Sequence, residues 1–495
     1  MGIKIKERKD LVENSGKWKK LPIDTKYFDE EFKLKLLEKI TERYDLDEVL
    51  DGWLIKSENW QALNTILPKF RGRVKLIYID PPFNKEQNAD YAYNVKYKDS
   101  TWITMLENRL SLAKEILAEN GSIYVRCDYN GNMYVRLLMN EIFGKENFRN
   151  EIVVSRVNKQ DPKARKFNTA TDTLYFYTKS GNYTFNPIWL KSKKLKRRWH
   201  AMDSQGQGKP MRIFGFLFDP PKGRHWTFSQ ERISQMESEG RIRIVCKKCS
   251  YIHTKGKWKG CPNCGNITEV SIQYLLEPTD KKLVDSNWTD IPGYSSNWKF
   301  STENSEQLLK RIIEASSNKR DIIMDFFLGS GTTVAVAQKL GRRWIGVEVG
   351  EHFYTVVLPR IKKVLAGETS GITKEVGWRG GGFFKYFELE QFEQSLRMVR
   401  YADTEPFNGE NIYSQYVFLK DEKMLYVMEL DYRSGKIKVD LSKLYQNVDL
   451  AETISNLKGK FIRRITRGYV EFEDGERLPL QEPDWKLIKP LIWWY

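Results

Sequence analysis

The stretch that decides the fold is Val74-Lys75-Leu76-Ile77-Tyr78-Ile79-Asp80-Pro81-Pro82-Phe83. Its first six residues form a short, mostly apolar run, which is typical of a buried strand in a parallel sheet. The strand should end at Asp80, because prolines cannot continue a hydrogen-bonded ladder and the residue before a proline avoids helical geometry. Open α/β sheets bind ligands at the carboxyl ends of their strands. The stretch therefore predicts an α/β fold with a ligand site beside Asp80.

The same alternation of helices and strands occurs on both sides of this stretch, but not throughout the chain. Residues 155–300 lack it and read as an inserted domain, and the glycine-rich residues 376–382 read as a flexible hinge. Apolar spacing predicts helices over residues 29–44, 60–67, 101–117, 306–316 and 333–340, and strands over residues 122–127, 321–325 and 344–348.

A glycine-rich turn joins the predicted strand 321–325 to the following helix, with the sequence Asp325-Phe326-Phe327-Leu328-Gly329-Ser330-Gly331-Thr332-Thr333. Gly329 and Gly331 permit a tight turn and a close backbone approach to a ligand. Glu348 follows nineteen positions after Gly329, the spacing at which an acidic residue reaches ribose hydroxyls in Rossmann-like sites. The turn lacks the third glycine of GxGxxG and the lysine of a phosphate-binding loop. A ligand with a ribose and no phosphate, such as S-adenosylmethionine, fits this pattern.

The turn Asp80-Pro81-Pro82-Phe83 offers two hydrogen-bond acceptors to an aromatic amino group. Such a nitrogen is a poor nucleophile, because its lone pair is delocalised into the ring. The Asp80 carboxylate and the Pro81 carbonyl would draw that lone pair out of conjugation, and the prolines keep both acceptors preorganised. Phe83 would stack on a base that has rotated out of a duplex. The alternative is a rigid strand end in which Asp80 caps neighbouring backbone.

These motifs resemble the β group of amino methyltransferases, and most of all the modification subunits of type III restriction–modification systems. The similarity covers residues 50–155 and 300–390, including Gly380-Gly381-Gly382-Phe383. It implies a Rossmann-like, S-adenosylmethionine-dependent methyltransferase fold with a mixed sheet. The fold would be circularly permuted, so that the catalytic half precedes the cofactor half and a target-recognition domain lies between them.

Residue by residue, the resemblance makes Asp80, Pro81, Pro82 and Phe83 the catalytic motif. An Asp at position 80, where relatives that act on cytosine have Ser, favours adenine as the target base. Residues 304–308 occupy the place of a helix-start motif that usually carries Lys-Pro. The cofactor contacts that we expect, the last of them at a position where the family more often has Asp, are Asp325, Phe326, Gly329, Ser330, Gly331, Thr332, Glu348 and Glu58.

The resemblance and the composition together predict five segments. They are a charged helical extension (1–50), a catalytic half (51–154), a target-recognition domain (155–300) with a zinc ribbon (244–266), a cofactor half (301–375) and a mixed or β-rich module (376–495).

Four of the five cysteines crowd into nineteen residues with the spacing of a metal site. The pattern is Cys246-x2-Cys249-x11-Cys261-x2-Cys264, which offers four thiolates to one tetrahedral ion. Zinc is the expected metal, and a closed set of four sulfurs is structural rather than catalytic. Four reduced thiols left over from a degraded ribbon are the alternative.

The charge balance indicates a polyanionic partner. The chain has 82 Lys and Arg against 65 Asp and Glu, a net charge of +17, and basic stretches at residues 156–166 and 191–199 fall in the inserted segment. Such clusters suit the phosphates of double-stranded DNA, although a solvated basic face would look the same. A second copy of the chain and a restriction subunit are further candidate partners. The absence of a long apolar run or a secretory signal leads us to expect a cytoplasmic protein without a membrane span.

The leading hypothesis is a site-specific DNA methyltransferase that transfers a methyl group to N6 of adenine. A cytosine-N4 methyltransferase would use the same chemistry. A catalytically idle DNA-binding subunit would have no need of Asp80 or the Gly329-Ser330-Gly331 turn. A dinucleotide oxidoreductase would bind nicotinamide and offers no role for Asp80-Pro81-Pro82.

Overall fold

The computed structural model describes residues 22–82, 99–156, 165, 167–191, 197–276, 281–298, 300, 302–389 and 449–480, together with four short strands between 400 and 439. Of the predicted site residues, Phe83 lies outside the described residues, as does much of both basic stretches. The chain divides into two compact units. One is formed by the residues up to Ile188 and from Asp285 onward, and the other is Trp189–Val284.

A nine-stranded sheet forms the centre of the first unit. Its strands stand in the order β6-β4-β5-β3-β2-β7-β8-β1-β9, and all neighbours are parallel except at β5, which is antiparallel to β3 and β4. The predicted α/β class with a mixed, Rossmann-like sheet is confirmed. The strands are β1 Gly52–Lys56, β2 Val74–Ile79, β3 Leu117–Cys127, β4 Phe148–Ser155, β5 Thr171–Thr178, β6 Asn287–Trp288, β7 Ile322–Asp325, β8 Arg343–Glu348 and β9 Phe384–Glu388.

The centre of the sheet brings together two segments that are far apart in the sequence. β2 pairs with β7 in parallel, with Leu76 beside Ile323 and Ile77 beside Met324. The next strand along the chain lies on opposite sides of this pair, β3 beside β2 and β8 beside β7. A crevice opens at such a topological switch point, and ligands bind there at the carboxyl ends of the strands. The turns after β2 and β7 both lie at that edge.

Helices cover both faces of the sheet because successive strand residues point in opposite directions. Ile77 belongs to an apolar core shared with the helix Asn59–Phe70. Tyr78 points the other way, and its hydroxyl donates to Asn304, just before the helix Glu306–Ser316. The helices of this unit are Thr25–Tyr27 (3-10), Glu30–Thr41, Leu46–Val49, Asn59–Phe70, Asp99–Ile116, Asn132–Phe143, Lys145–Asn147 (3-10), Glu306–Ser316, Thr332–Lys339, Phe353–Val357 (π), Leu358–Leu365, Thr373–Val376 and Leu450–Lys458.

The N-terminal helices and the described end of the C-terminal region share one small core. Leu46 packs with Ile454, Ile462 and Val470. The helix Leu450–Lys458 and the antiparallel strands Ile462–Ile465, Tyr469–Phe472 and Arg477–Pro479 supply the C-terminal side. The segments predicted as 1–50 and 376–495 therefore contact each other, and β9, inside the second of them, belongs to the main sheet. The remaining short strands are Arg400–Tyr401, Leu419–Lys420, Met428–Asp431 and Lys436–Val439.

The second unit has its own apolar core, built on a four-stranded antiparallel sheet. Ile244, Ile272, Trp258 and Ile233 are buried in it. This unit is narrower than the predicted domain 155–300, because β5 and β6 are part of the main sheet. The sheet strands, in order, are Ile252–His253, Ile242–Cys246, Val270–Leu276 and Arg198–Ala201. Further elements are Trp189–Lys191 with Lys281–Leu283, Asp203–Gln205 with Arg224–Trp226, Met211–Ile213 with Phe216–Phe218, and the helix Gln230–Ser238.

The glycine run at 380–382 is packed rather than a hinge. Gly381 donates its backbone N–H to the Leu365 carbonyl at 2.7 Å. A Cβ on Gly380 would lie 2.6 Å from the same carbonyl oxygen, and its φ of 80° is left-handed. Only glycine fits so close an approach in that conformation, so the run anchors the entry to β9. In the described part of the chain, no helix is long and apolar enough to cross a membrane.

Candidate active site

Asp80 follows β2 directly and stands at the carboxyl edge of the sheet. Its Oδ2 accepts a hydrogen bond from Nδ2 of Asn304 at 2.8 Å. The following turn is anchored by Trp102, a buried side chain whose Nε1 donates to the Pro82 carbonyl at 2.8 Å. Because Pro82 is held by this bond, the Pro81 peptide between the two anchors is fixed as well. The turn therefore holds the Asp80 carboxylate and the Pro81 carbonyl in fixed positions.

Desolvation raises the pKa of Asp80 from 3.8 to about 6. The Arg126 charge and the hydrogen bond from Asn304 oppose this rise, while the nearby carboxylates of Asp172 and Asp128 add to it. A carboxyl with a pKa near neutrality can accept a proton during a reaction and release it afterwards. Asp80 thus has the properties of a general base as well as those of a hydrogen-bond acceptor.

The glycine-rich turn follows β7 at the neighbouring position of the same edge. Gly329 and Gly331 have φ values of 54° and 80°, in the left-handed region that glycine adopts without strain. Asp325, the last residue of β7, accepts hydrogen bonds from Thr333 Oγ1 at 2.5 Å and from the Phe327 N–H at 3.0 Å. Burial raises the pKa of Asp325 to about 7, and the Asp80 charge contributes to the rise. The predicted catalytic and cofactor carboxyls thus lie close enough to influence each other.

Glu348 ends β8, one strand further along, and reaches the glycine turn. Its Oε2 accepts the Gly329 N–H at 2.8 Å, and its Oε1 accepts the Gly350 N–H at 2.9 Å. Oε1 also lies 3.3 Å from Nε2 of His352, whereas Oε2 has a second lone pair that can accept a hydroxyl. This is the arrangement expected of a side chain that binds a ribose diol.

Three predicted cofactor residues are turned into the protein rather than toward the edge. Phe326, the first residue after β7, is 1% exposed and its ring belongs to the apolar core. The hydroxyls of Ser330 and Thr332 bind the buried guanidinium of Arg360, whose Nη1 lies 3.3 Å from Ser330 Oγ and 2.9 Å from Thr332 Oγ1. These residues therefore support the glycine turn from inside the protein.

Glu58 lies two residues beyond β1, at the same edge as Glu348. It caps the helix Asn59–Phe70 by accepting the Gln61 N–H at 3.1 Å, and it pairs with Arg109 at 2.5 Å. Arg109 also binds Asn59, whose Nδ2 donates to the Phe326 carbonyl at 2.9 Å. Glu58 is therefore connected to the glycine turn through hydrogen bonds.

The four clustered cysteines converge in the second unit. Their sulfur atoms all lie within 4.8 Å of one another. The ends of the strand Ile242–Cys246 and of two tight turns bring them together, with Gly265 in the left-handed region. Four thiols around one point offer the donor set of a tetrahedral zinc site. The residues concerned are Cys246, Cys249, Cys261 and Cys264.

The structure adds side chains that the sequence analysis did not select. Arg126 is fully buried in β3 behind Asp80, and Arg360 is fully buried behind the glycine turn. Asn304 lies in the segment noted as a departure from the Lys-Pro motif, but its contact with Asp80 was not predicted. The sequence offered one signal for Arg126, which is a charged residue inside an apolar predicted strand. Because charged residues are almost never buried without partners, this position indicated a buried ion pair.

A family model described as DNA methylase matches residues 74–358, more than half of the chain. The chain belongs to this family. Among curated relatives, a probable type III restriction-modification Mod subunit (HindVI) of Haemophilus influenzae is 30% identical over 416 residues, covering 70% of this chain and 55% of that protein. The DNA adenine methyltransferase YhdJ of Escherichia coli is 23% identical, covering 65% of this chain and 88% of that protein.

The chain thus spans about half the length of the type III relatives that it matches. Among solved structures, the crystal structure of an M1.HpyAVI–SAM complex aligns with 15% identity and a TM-score of 0.35, covering 63% of this chain and 98% of that one. Within the DNA methylase family match lie Asp80, the glycine turn and Glu348, together with the whole of the second unit.

Proposed function

We propose that this chain transfers a methyl group from S-adenosylmethionine to N6 of adenine in double-stranded DNA. The observation that carries the proposal is the convergence of the Asp80-Pro81 turn and the Gly329 to Glu348 site at neighbouring strand ends. Membership of the DNA methylase family is consistent with it.

The cofactor site that we propose consists of the glycine turn and the carboxylates around it. Glu348 would accept the ribose hydroxyls, and the backbone of Gly329 and Gly331 would lie against the ligand. Asp325 would contact the ligand at the same edge. The glycine turn is supported from inside the protein by Phe326, Ser330, Thr332 and Glu58. No lysine stands in the turn, which suits a ligand without phosphates. When bound, S-adenosylmethionine supplies an electrophilic methyl group on a sulfonium.

The chain's own contribution to catalysis is to make an amino group nucleophilic. Asp80 and the Pro81 carbonyl accept the two hydrogens of the base's NH2, which localises the nitrogen lone pair toward the methyl group. The proton that the nitrogen must lose passes to Asp80 or to solvent. Phe83 is proposed to stack on the flipped base. Proximity and orientation supply most of the rate, and no covalent enzyme intermediate is needed.

Adenine rather than cytosine is proposed as the target for two reasons. Asp80 stands where cytosine-modifying members of the resembled group have Ser. A relative covering 65% of this chain is named a DNA adenine methyltransferase.

The second unit is proposed to recognise the target sequence and to hold structural zinc on its four cysteines. The net charge of +17 suits a DNA partner. A second copy of the chain and a restriction subunit are proposed as partners, since the type III relatives are named as Mod subunits of restriction–modification enzymes. An enzyme with such partners works in the cytoplasm.

The test is methyl transfer to plasmid DNA, followed by mass analysis of the nucleosides. We expect N6-methyladenine with the wild-type chain and no product with Asp80→Ala, which should still bind DNA and cofactor. Asp45→Ala, which removes an exposed carboxylate paired with Arg463, is the control and should behave as wild type. N4-methylcytosine would change the assigned base, and full activity of Asp80→Ala would remove Asp80 from the mechanism.

A further inference from the structure

A buried polar cluster lies directly behind Asp80, on the side of the sheet that faces the helix Glu306–Ser316. Asn304 is its centre. One end of the Asn304 amide donates to Asp80 Oδ2 at 2.8 Å. The other end, Oδ1, accepts from Arg126 Nη1 at 2.6 Å and from the Tyr78 hydroxyl at 2.9 Å. Three strands or loops that are distant in sequence therefore meet at one side-chain amide.

The two donors determine which way the Asn304 amide faces. An amide oxygen has two lone pairs, and Arg126 and Tyr78 occupy both. If the amide were turned around, its NH2 would face two donors and its oxygen would face the Asp80 carboxylate. Neither contact is a hydrogen bond. The NH2 group must consequently point at Asp80.

The Arg126 side chain is itself fixed in position by its neighbours. Its side chain is fully buried, with Nη2 on Asp172 Oδ2 at 2.7 Å and Nη1 also on the Gly293 carbonyl at 2.9 Å. Its guanidinium lies 3.9 Å from the centroid of the Tyr294 ring. Tyr294 donates in turn to Asp172 Oδ2 at 3.0 Å. Both terminal nitrogens of the Arg126 guanidinium are hydrogen-bonded, so the group is fixed in place and holds the Asn304 amide in one orientation.

We propose that Asn304 is a positioning residue for methyl transfer, which binds Oδ2 of Asp80 and thereby presents Oδ1 to the amino group of the target base. The inference rests on the proposed function. Among the described residues, Asn304 provides the one hydrogen bond to Asp80. That bond stops rotation of the carboxylate and leaves its second oxygen at the cleft. It also favours the ionised form, which is the form that accepts a hydrogen from the base.

A purely structural role for Asn304 would explain the same contacts, because the residue also forms a backbone bridge with Tyr294. Asn304→Asp separates the two roles. Aspartate has the same shape and can still accept from Arg126 and Tyr78, but as a carboxylate it cannot donate to Asp80. Because it also adds a negative charge that raises the pKa of Asp80, the comparison is made on the high-pH plateau of kcat. A structural role predicts nearly unchanged activity, whereas a positioning role predicts a large loss.

The experiment measures kcat, KM for DNA and cofactor Kd for wild type, Asn304→Asp and Asn304→Ala. We expect kcat to fall about ten- to a hundredfold in both variants, the effect of losing a hydrogen bond to a charged group, with cofactor Kd within about twofold of wild type. The acid limb of kcat against pH should also move to higher pH. Asn304→Ala removes the donor that lowers the pKa of Asp80, and Asn304→Asp removes it and adds a second carboxylate beside Asp80. The other ionisable groups around Asp80 are unchanged in these variants: Arg126, Asp128, Asp172, Asp325, Tyr78 and Tyr294.

Asn186→Ala is the control. It removes another partly buried amide, one that donates to the Glu314 carbonyl at 2.9 Å at the end of the helix Glu306–Ser316, away from Asp80. It should keep the wild-type kcat and pH profile. If the Asn304 variants do not fold, Tyr78→Phe removes one of the two donors that orient the amide, and it should lower kcat and move the acid limb in the same direction.

Wild-type kcat and an unmoved pH profile in folded Asn304→Asp would overturn this inference and leave the proposed function standing. Failure of the wild-type chain to methylate any DNA would instead overturn the proposed function. The two failures are therefore distinguishable.

Discussion

At the scale of single residues, the site depends on carboxyl groups that the fold desolvates. Asp80 and Asp325 end adjacent parallel strands, and burial raises their pKa values to about 6 and about 7. Each is held by donors from a different part of the chain, Asn304 for the first and Thr333 for the second. Acidic groups with pKa values near neutrality are typical of catalytic sites rather than of ordinary surface turns.

Activity should therefore depend on pH through Asp80. Its ionised form is the acceptor, so kcat/KM for DNA should fall as the pH decreases through about 6, by about tenfold per unit below it. The contribution of Asp80 to the stability of the fold changes with pH in the opposite direction to the activity. The folded pKa lies above the ordinary aspartate value of 3.8, so this group's contribution to stability is complete below that value and is lost as pH rises through about 6.

The measurement is a pH profile of kcat/KM for DNA with saturating cofactor, so that titration of Asp325 does not limit cofactor binding. Circular dichroism across the same range checks that the protein stays folded. A flat profile from pH 8 down to 5 would contradict the prediction.

A second set of residues packs against the glycine turn. Arg360 is fully buried, contacts Ser330 and Thr332, and is paired with Glu303 at 3.3 Å and Glu306 at 3.2 Å. Lys339 also binds Glu306, at 2.8 Å. Buried charges persist when they are paired with opposite charges, as they are here. This ion cluster gives the glycine turn a rigid base.

At the scale of elements, the four-cysteine segment is a small structure that we propose to be stabilised by a bound metal ion. The strands and turns around it are short, and Cys246 and Cys261 are buried in the core of the second unit. Short elements of this kind gain most of their stability from a bound metal. The core and the candidate metal site are therefore expected to form together.

Purified protein should contain one zinc ion per chain, and chelation should unfold residues 189–284 first. We expect loss of metal by elemental analysis together with rapid proteolysis within that range, because four unligated thiols no longer hold the turns. Cys249→Ser should show the same defect without chelator. Cys127→Ala, which removes the fifth cysteine from β3, is the control and should retain one zinc. A metal-free preparation that resists both chelator and protease would contradict the zinc site.

At the scale of the whole molecule, the two ends of the described chain are joined through buried charges. Lys69 lies 2.8 Å from Asp47 and 3.3 Å from Glu452, and Lys385 lies 2.8 Å from Asp47. These four residues come from the helices Leu46–Val49 and Asn59–Phe70, the strand β9 and the helix Leu450–Lys458. Lys69 and Asp47 are at most 1% exposed. The C-terminal segment is thus an integral part of the first unit.

Lys69→Met should destabilise the first unit by about 3–5 kcal/mol, the usual cost of removing one partner from a buried ion pair. Thermal unfolding followed by circular dichroism measures the change, and methyl transfer well below the melting temperature should persist, because Lys69 is remote from the carboxyl edge. Lys35→Met, which removes an exposed partner of Glu31, should leave the melting temperature unchanged. Equal melting temperatures for both variants would contradict this reading of the cluster.

The sequence by itself determined the features that depend on local pattern. The strand 74–79 and the helix 306–316 were predicted with the bounds that the structure has, because apolar periodicity and the flanking proline or serine are local signals. The spacing of the four cysteines likewise indicated a cluster whose sulfurs the structure brings within 4.8 Å. The Asp80 turn, the glycine turn and Glu348 could be selected because each is a short motif at a strand end.

Only the tertiary structure decided which distant residues support those motifs. Asn304 reaches Asp80, and Arg126 reaches Asn304, across separations of 224 and 178 positions. Three further features could be seen only in the folded chain. They are the burial of the Phe326 ring in the core, the packing of the glycine run 380–382 and the placement of β5 in the main sheet. Such contacts depend on strand order and on which face a side chain occupies, and local sequence patterns carry no record of either.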